Sequence, residues 1–173
     1  TFAQNAGRVA VYRGTDGKEL FAHLGEAAGA QAGSAVGPIG DPDTDGFGDY
    51  VFGAMGAAGG VGRAYVHRGV DGSLRCTLDT DATGANYGQF FCGWVGDVNA
   101  DGAPDFFVSD FSNTALGPGT GRAFVYSGLD CGVLQVLTGT GPNQGFGIGR
   151  GWAGDVDKDG HDDLFFGSWV ADE

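Results

Sequence analysis

Three nine-residue segments carry an oxygen side chain at positions one, three, five and nine and a glycine at position six. They read Asp41-Pro42-Asp43-Thr44-Asp45-Gly46-Phe47-Gly48-Asp49, Asp97-Val98-Asn99-Ala100-Asp101-Gly102-Ala103-Pro104-Asp105, and Asp155-Val156-Asp157-Lys158-Asp159-Gly160-His161-Asp162-Asp163. Such spacing suits ligation of a hard cation. Ca²⁺ takes roughly six to eight oxygens, and alternate residues of a tight loop turn inward together. The backbone carbonyl at position seven would complete the ring, and glycine at six permits the sharp reversal. The predicted ligands are therefore Asp41, Asp43, Asp45, Phe47 and Asp49; Asp97, Asn99, Asp101, Ala103 and Asp105; and Asp155, Asp157, Asp159, His161 and Asp163.

These loops hold twelve of the 22 acidic residues. Without a counter-ion such crowding costs several kcal/mol of repulsion even at an effective dielectric of about 20. Three Ca²⁺ per chain would offset six of the 13 net negative charges. Mg²⁺ fits less well, because it prefers fewer protein ligands and retained waters. Asn99 replaces a carboxylate, so the second loop is expected to bind most weakly. An EF-hand shares the first six positions but needs a bidentate Glu at position twelve and flanking helices. Position twelve here is Phe52, Val108 or Phe166.

No other residue set has catalytic spacing. His23 and His67 fall in predicted strands, and His161 occupies a backbone-ligand position; none has a paired nucleophile. There is no G-x-S-x-G, H-E-x-x-H or P-loop. Gly145-Phe146-Gly147-Ile148-Gly149-Arg150-Gly151 resembles a dinucleotide fingerprint, but its neighbours read as strands, so no helix N-terminus is expected to hold a phosphate. The expectation is a protein that is not an enzyme. Nine Lys and Arg against 22 Asp and Glu also exclude a nucleic-acid partner, which needs clustered cations. No apolar run is long enough for a transmembrane helix, so membrane insertion is not expected. Thr1-Phe2-Ala3-Gln4-Asn5 lacks the features of a signal peptide, and the chain is read as mature or trimmed.

The elements that must position the loops follow from a repeat. Gly-Arg plus an apolar stretch begins at Gly7, Gly62 and Gly121, 55 and 59 residues apart, and the acidic loops recur in step, 56 and 58 residues apart. Each period holds short β-branched and aromatic runs bounded by Gly, Asp and Asn, with no useful helical stripe. Four strands are predicted per period; in the first complete one they lie near 34–39, 49–53, 63–68 and 73–78. Asp16-Gly17 and Asp71-Gly72 mark tight hairpins. The runs from Val9, Ala64 and Ala123 are apolar almost without alternation, so both faces must be covered. That predicts an all-β fold of four-stranded antiparallel β-propeller blades.

The predicted division is a half-blade over 1–30, blades over 31–85 and 86–140, and a half-blade over 141–173. The C-terminal half (Gly147 to Gly154, Asp163 to Gly167) lacks the strand pair that the N-terminal half (Arg8 to Arg13, Lys18 to Leu24) supplies. A homo-oligomer by half-blade pairing is expected, as a six-bladed dimer or a filament, with a fragment of a longer propeller as the alternative. Tyr87, Phe90, Phe91, Trp94, Phe111, Trp152 and Trp169 are read first as core packing; as more aromatics than blade packing requires, they leave a glycan-binding propeller as the rival, while protein ligands stay open. Cys76, Cys92 and Cys131 match no metal spacing. They are either buried thiols or one bridge with one cysteine left over.

Taken with the loops, the repeats resemble the FG-GAP repeats of integrin α-subunit β-propellers and of related secreted bacterial proteins. In that family a Phe-Gly pair precedes the Ca²⁺ loop and Gly-Ala-Pro follows it. Phe146-Gly147 matches the first element; Ala32-Gly33 and Gly88-Gln89 stand at the other two places. Gly53-Ala54-Met55, Ser109-Asp110-Phe111 and Gly167-Ser168-Trp169 follow the loops without the closing Pro. The resemblance implies a secreted, extracellular, calcium-binding module with a structural or adhesive role.

Overall fold

A computed structural model describes residues 3–170. Its strands are β1 (Arg8–Tyr12), β2 (Glu19–Leu24), β3 (Ala32–Gly40), β4 (Asp49–Ala54), β5 (Arg63–His67), β6 (Leu74–Asp79), β7 (Cys92–Gly96), β8 (Asp105–Asp110), β9 (Arg122–Tyr126), β10 (Val133–Thr138), β11 (Ile148–Gly154) and β12 (Asp163–Gly167). They form four antiparallel sheets: β1-β2, β3-β4-β5-β6, β7-β8-β9-β10 and β11-β12. The fold is all-β, as the strand periodicity predicts. The strand bounds differ from the expected ones by two residues at most. One feature was not anticipated: α1 (Ala57–Gly60) between β4 and β5, a single irregular turn with Ala58 and Gly59 at φ 51° and 75°.

Why the central strands read as unbroken apolar runs is now visible. Along β4 and β5, Val51, Ala64 and Val66 point into one core while Phe52, Ala54 and Tyr65 point into another. Along β8 and β9, Phe106, Val108, Phe124 and Tyr126 share the first of these cores, and Phe107, Ala123 and Val125 enter a third. Successive side chains of a strand face opposite sides, and here both sides are buried. The sheets therefore stack face to face, with Val9 of β1 at one end and Leu164 and Phe166 of β12 at the other. Phe106 and Phe107 are both 0% exposed; truncating a buried Phe to Ala typically costs ~3–5 kcal/mol.

Close backbone approach explains one glycine in particular. A Cβ on Gly37 of β3 would lie 2.4 Å from the Cys92 carbonyl oxygen of β7, so these first strands of successive sheets cross with no side chain between them. Asp-led hairpin turns close three of the strand pairs. Asp16, Asp71 and Asp130 accept the N–H of Lys18, Ser73 and Gly132 at 3.0, 2.8 and 2.7 Å. The residue between takes a left-handed φ: 69° at Gly17, 73° at Gly72 and 63° at Cys131. Cys131 thus occupies a glycine position, and it bonds to Cys76 of the preceding sheet. The sequence left the cysteines open between thiols and one bridge. The bridge forms, and Cys92 is buried with its Sγ 3.7 Å from the Val51 carbonyl. Among the described residues no helix is long and apolar enough to cross a membrane.

Candidate metal centres

The acidic loops connect β3 to β4, β7 to β8 and β11 to β12, so they emerge at one end of the stack. All three are built alike. The position-one carboxylate accepts the N–H of positions five and six: Asp41 from Asp45 and Gly46 (3.1 and 2.9 Å), Asp97 from Asp101 and Gly102 (3.1 and 2.9 Å), and Asp155 from Asp159 and Gly160 (3.1 and 3.0 Å). The position-five carboxylate accepts the N–H of position seven: Asp45 from Phe47, Asp101 from Ala103, and Asp159 from His161, at 2.8 to 2.9 Å. Positions four and six both adopt left-handed φ. Gly46, Gly102 and Gly160 stand at 90°, 87° and 93°, while Thr44, Ala100 and Lys158 stand at 56°, 57° and 66°.

This folding draws the first three carboxylates together. Oxygens of Asp41, Asp43 and Asp45 lie within 4.8 Å of one another, and so do those of Asp155, Asp157 and Asp159. In the second loop the Asn99 amide donates to Asp101 Oδ2 at 2.8 Å, and its Oδ1 accepts the Asp101 N–H at 3.1 Å. An all-oxygen, highly anionic donor set of this kind fits a hard divalent cation.

Position nine behaves differently. Asp49 and Asp105 are buried, at 2% and 0% exposure. Asp105 accepts the Val98 and Gly128 N–H at 2.9 and 3.0 Å. Asp163 accepts the Val156 N–H at 2.7 Å. Asp49 accepts the Gly69 N–H at 2.8 Å and pairs with the buried Arg75 guanidinium at 2.8 Å. A carboxylate oxygen has two lone pairs, so these bonds leave capacity for a cation. Burial pushes the Asp49 and Asp105 carboxyls up, their hydrogen bonds pull them down, and the neighbouring loop carboxylates push them up further.

The loops also touch each other. Asp162 accepts the Asp97 N–H at 2.8 Å and donates its own N–H to the Asp97 carbonyl at 3.0 Å. His161 Nδ1 lies 3.0 Å from the Val98 carbonyl, which fixes a proton on that nitrogen. A Cβ on Gly40 would meet the Pro104 ring at 2.8 Å, bringing the first loop against the second.

The other two histidines meet in a place that the sequence did not single out. His23 of β2 and His67 of β5 meet with ring centroids 3.9 Å apart and planes tilted by 41°, and His23 Nε2 sits 2.8 Å from the Tyr50 hydroxyl. His67 Nδ1 donates to the Gly72 carbonyl at 2.9 Å. They line a cleft of about 390 Å³ with Phe52 and Tyr65. Burial lowers the proton affinity of both, and the neighbouring His67 lowers that of His23 further.

Of the aromatics, Tyr87 is wholly buried with its hydroxyl 2.6 Å from that of Tyr126. Phe91 packs on the third core, and Trp94 and Trp152 pack against each other at 5.1 Å. Phe90, Phe111 and Trp169 instead form a surface run, with centroids 5.7 and 6.4 Å apart. Phe90 is 57% exposed and Trp169 70%. They flank the strand ends opposite the acidic loops. No family model matches the chain, and no curated protein matches it.

Proposed function

We propose that the chain is a calcium-binding segment of a β-propeller of the FG-GAP type, extracellular, with a structural or adhesive role. One observation carries the reading: the same carboxylate-and-glycine scaffold recurs at the same connection of three successive stacked sheets. Asp-Gly turns are common singly; three in one geometry at one end of a stack point to a shared ligand. Face-to-face stacking of short antiparallel sheets is the way propeller blades pack, and the sheets fall within the four repeat spans. The Cys76–Cys131 disulfide is compatible with an oxidising, extracellular setting.

On this reading the ligands at positions one, three, five, seven and nine hold Ca²⁺, and its work is to offset charge and fix the loops. A ligand that binds only the native state adds RT ln(1 + [L]/Kd) per site. EDTA should lower the melting temperature clearly, and titration of the metal-free chain should give three Ca²⁺ per chain. An unchanged melt in verified metal-free protein overturns the assignment.

Among the described residues β1 pairs only with β2 and β12 only with β11, and such open strand edges call for partners. A second copy of this chain offers matching strands, and so would further repeats of a longer chain; light scattering in Ca²⁺ separates the two, because only the first gives a dimer or filament. The surface run of Phe90, Phe111 and Trp169 favours one further reading, a glycan-binding face, since exposed rings stack on sugars. Glycan-array binding that survives Phe90→Ala and Trp169→Ala rules that face out.

A further inference from the structure

Each position-nine carboxylate holds its loop by accepting hydrogen bonds, and the donors differ in one respect. In the second and third loops the N–H of position two, Val98 or Val156, donates to Oδ2 of position nine. In the first loop position two is Pro42, which has no N–H. The vacated acceptor, Asp49 Oδ2, takes the Arg75 guanidinium at 2.8 Å instead. The other acceptor is unchanged in kind: Gly69 donates to Asp49 Oδ1 as Gly128 donates to Asp105 Oδ1. A neutral backbone donor has thus been exchanged for a full positive charge.

Arg75 is well held. Its side chain is 8% exposed, and its second nitrogen donates to the Leu129 carbonyl of the next sheet at 2.8 Å. Cys76 follows Arg75, and Cys131 lies two residues after Leu129, so the Cys76–Cys131 bond clamps both ends of the contact. The corresponding place in the next repeat is Leu134, which packs on apolar neighbours. Arg68 adds a second cation to the first loop, 4.0 Å from Asp43. No ion pair touches the ligand carboxylates of the second or third loop among the described residues.

We propose that Arg75 is an internal counter-ion of the first loop, which keeps that loop formed without metal and makes it the weakest of the three cation sites. This rests on the calcium reading above. Counting charges within the nine residues ranks the second loop weakest; Arg75 of β6 brings the first loop level with it, and Arg68 takes the first loop below. Like charges repel at close range in a partly desolvated site, so a divalent ion entering the first loop must work against Arg75.

The test is an NMR titration of the metal-free chain with Ca²⁺ alone, reading the amides of Gly46, Gly102 and Gly160 as reporters of the three loops. In the wild type Gly46 should respond last. Arg75→Met, and Pro42→Val with Arg75→Met to restore the backbone donor, should each lower the Gly46 midpoint at least tenfold. Arg75→Lys, which keeps the charge, should stay near wild type, and Gly102 and Gly160 should not move in any variant. A purely structural role for Arg75 predicts the opposite sign, weaker binding once it is removed. Weaker or unchanged binding at Gly46 in the double variant overturns the proposal, as does a first loop that fills before the second in the wild type. No response at any of the three glycines sinks the calcium reading itself.

Discussion

At the scale of single residues, the buried titratable groups outside the loops set how stability depends on pH. His23 and His67 are disfavoured in their charged forms, chiefly by burial. A histidine held below its unfolded value, about 6.5, contributes stability that is complete above that value and lost as the pH falls toward the folded one. Asp110 has the opposite sign. Burial pushes it up to about 6 against hydrogen bonds from Asn113, Thr80 and Ala85, so its protonated form is favoured in the fold and its contribution grows as the pH falls through about 6 toward 3.8. In saturating Ca²⁺, acidification from pH 7.5 to 5.5 should therefore lower the calorimetric melting temperature of the wild type. Replacing both histidines by Gln should leave Asp110 in control and reverse the slope. Parallel curves for the two proteins would show that the imidazole pair does not titrate on unfolding.

At the scale of elements, the acidic turns carry strain that the choice of residues conceals. Position four of each loop is left-handed, yet none of the three residues there is glycine. Thr44 suffers most, because its branched Cβ crowds the backbone in that region. Thr44→Gly should stabilise the metal-free protein by about 1 kcal/mol, the relief of left-handed strain outweighing the entropy lost by Gly on folding. Urea denaturation measures it, and a loss of stability would mean that the Thr side chain itself supports the turn. The strands and the glycine at position six were legible in the sequence because each has a residue type tied to its geometry: apolar runs for doubly covered strands, glycine for the reversal. Thr44, Ala100 and Lys158 gave no such sign. Nor did Cys131, left-handed where Gly17 and Gly72 stand in the other hairpins. Arg75 was missed because the reason for it, the missing N–H of Pro42, becomes visible only once β6 is known to pass beside the loop. The meeting of His23 with His67 depends on how the first sheet lies on the second, which no local spacing encodes.

At the scale of the whole molecule, four sheets are stacked through three cores, and the acidic loops share one end of the stack while the exposed aromatic run lies at the other. The two central sheets are joined covalently and the outer two are not. That difference matters when the chain is pulled rather than heated. A tension applied between the termini travels along the backbone only as far as Cys76, crosses the sulfur bridge and continues from Cys131, so the segment between these two residues, which stand 55 positions apart, bears no load. The outer hairpins β1-β2 and β11-β12 should peel away first, and full extension under oxidising conditions should fall short of the reduced chain by about 190 Å, at roughly 3.5 Å per residue. Single-molecule stretching with and without a reductant reads that difference directly, and equal extensions would show that the bridge is not formed. A protein so arranged yields at its ends while its middle stays folded, and it keeps in reserve a length that only a change in redox conditions releases.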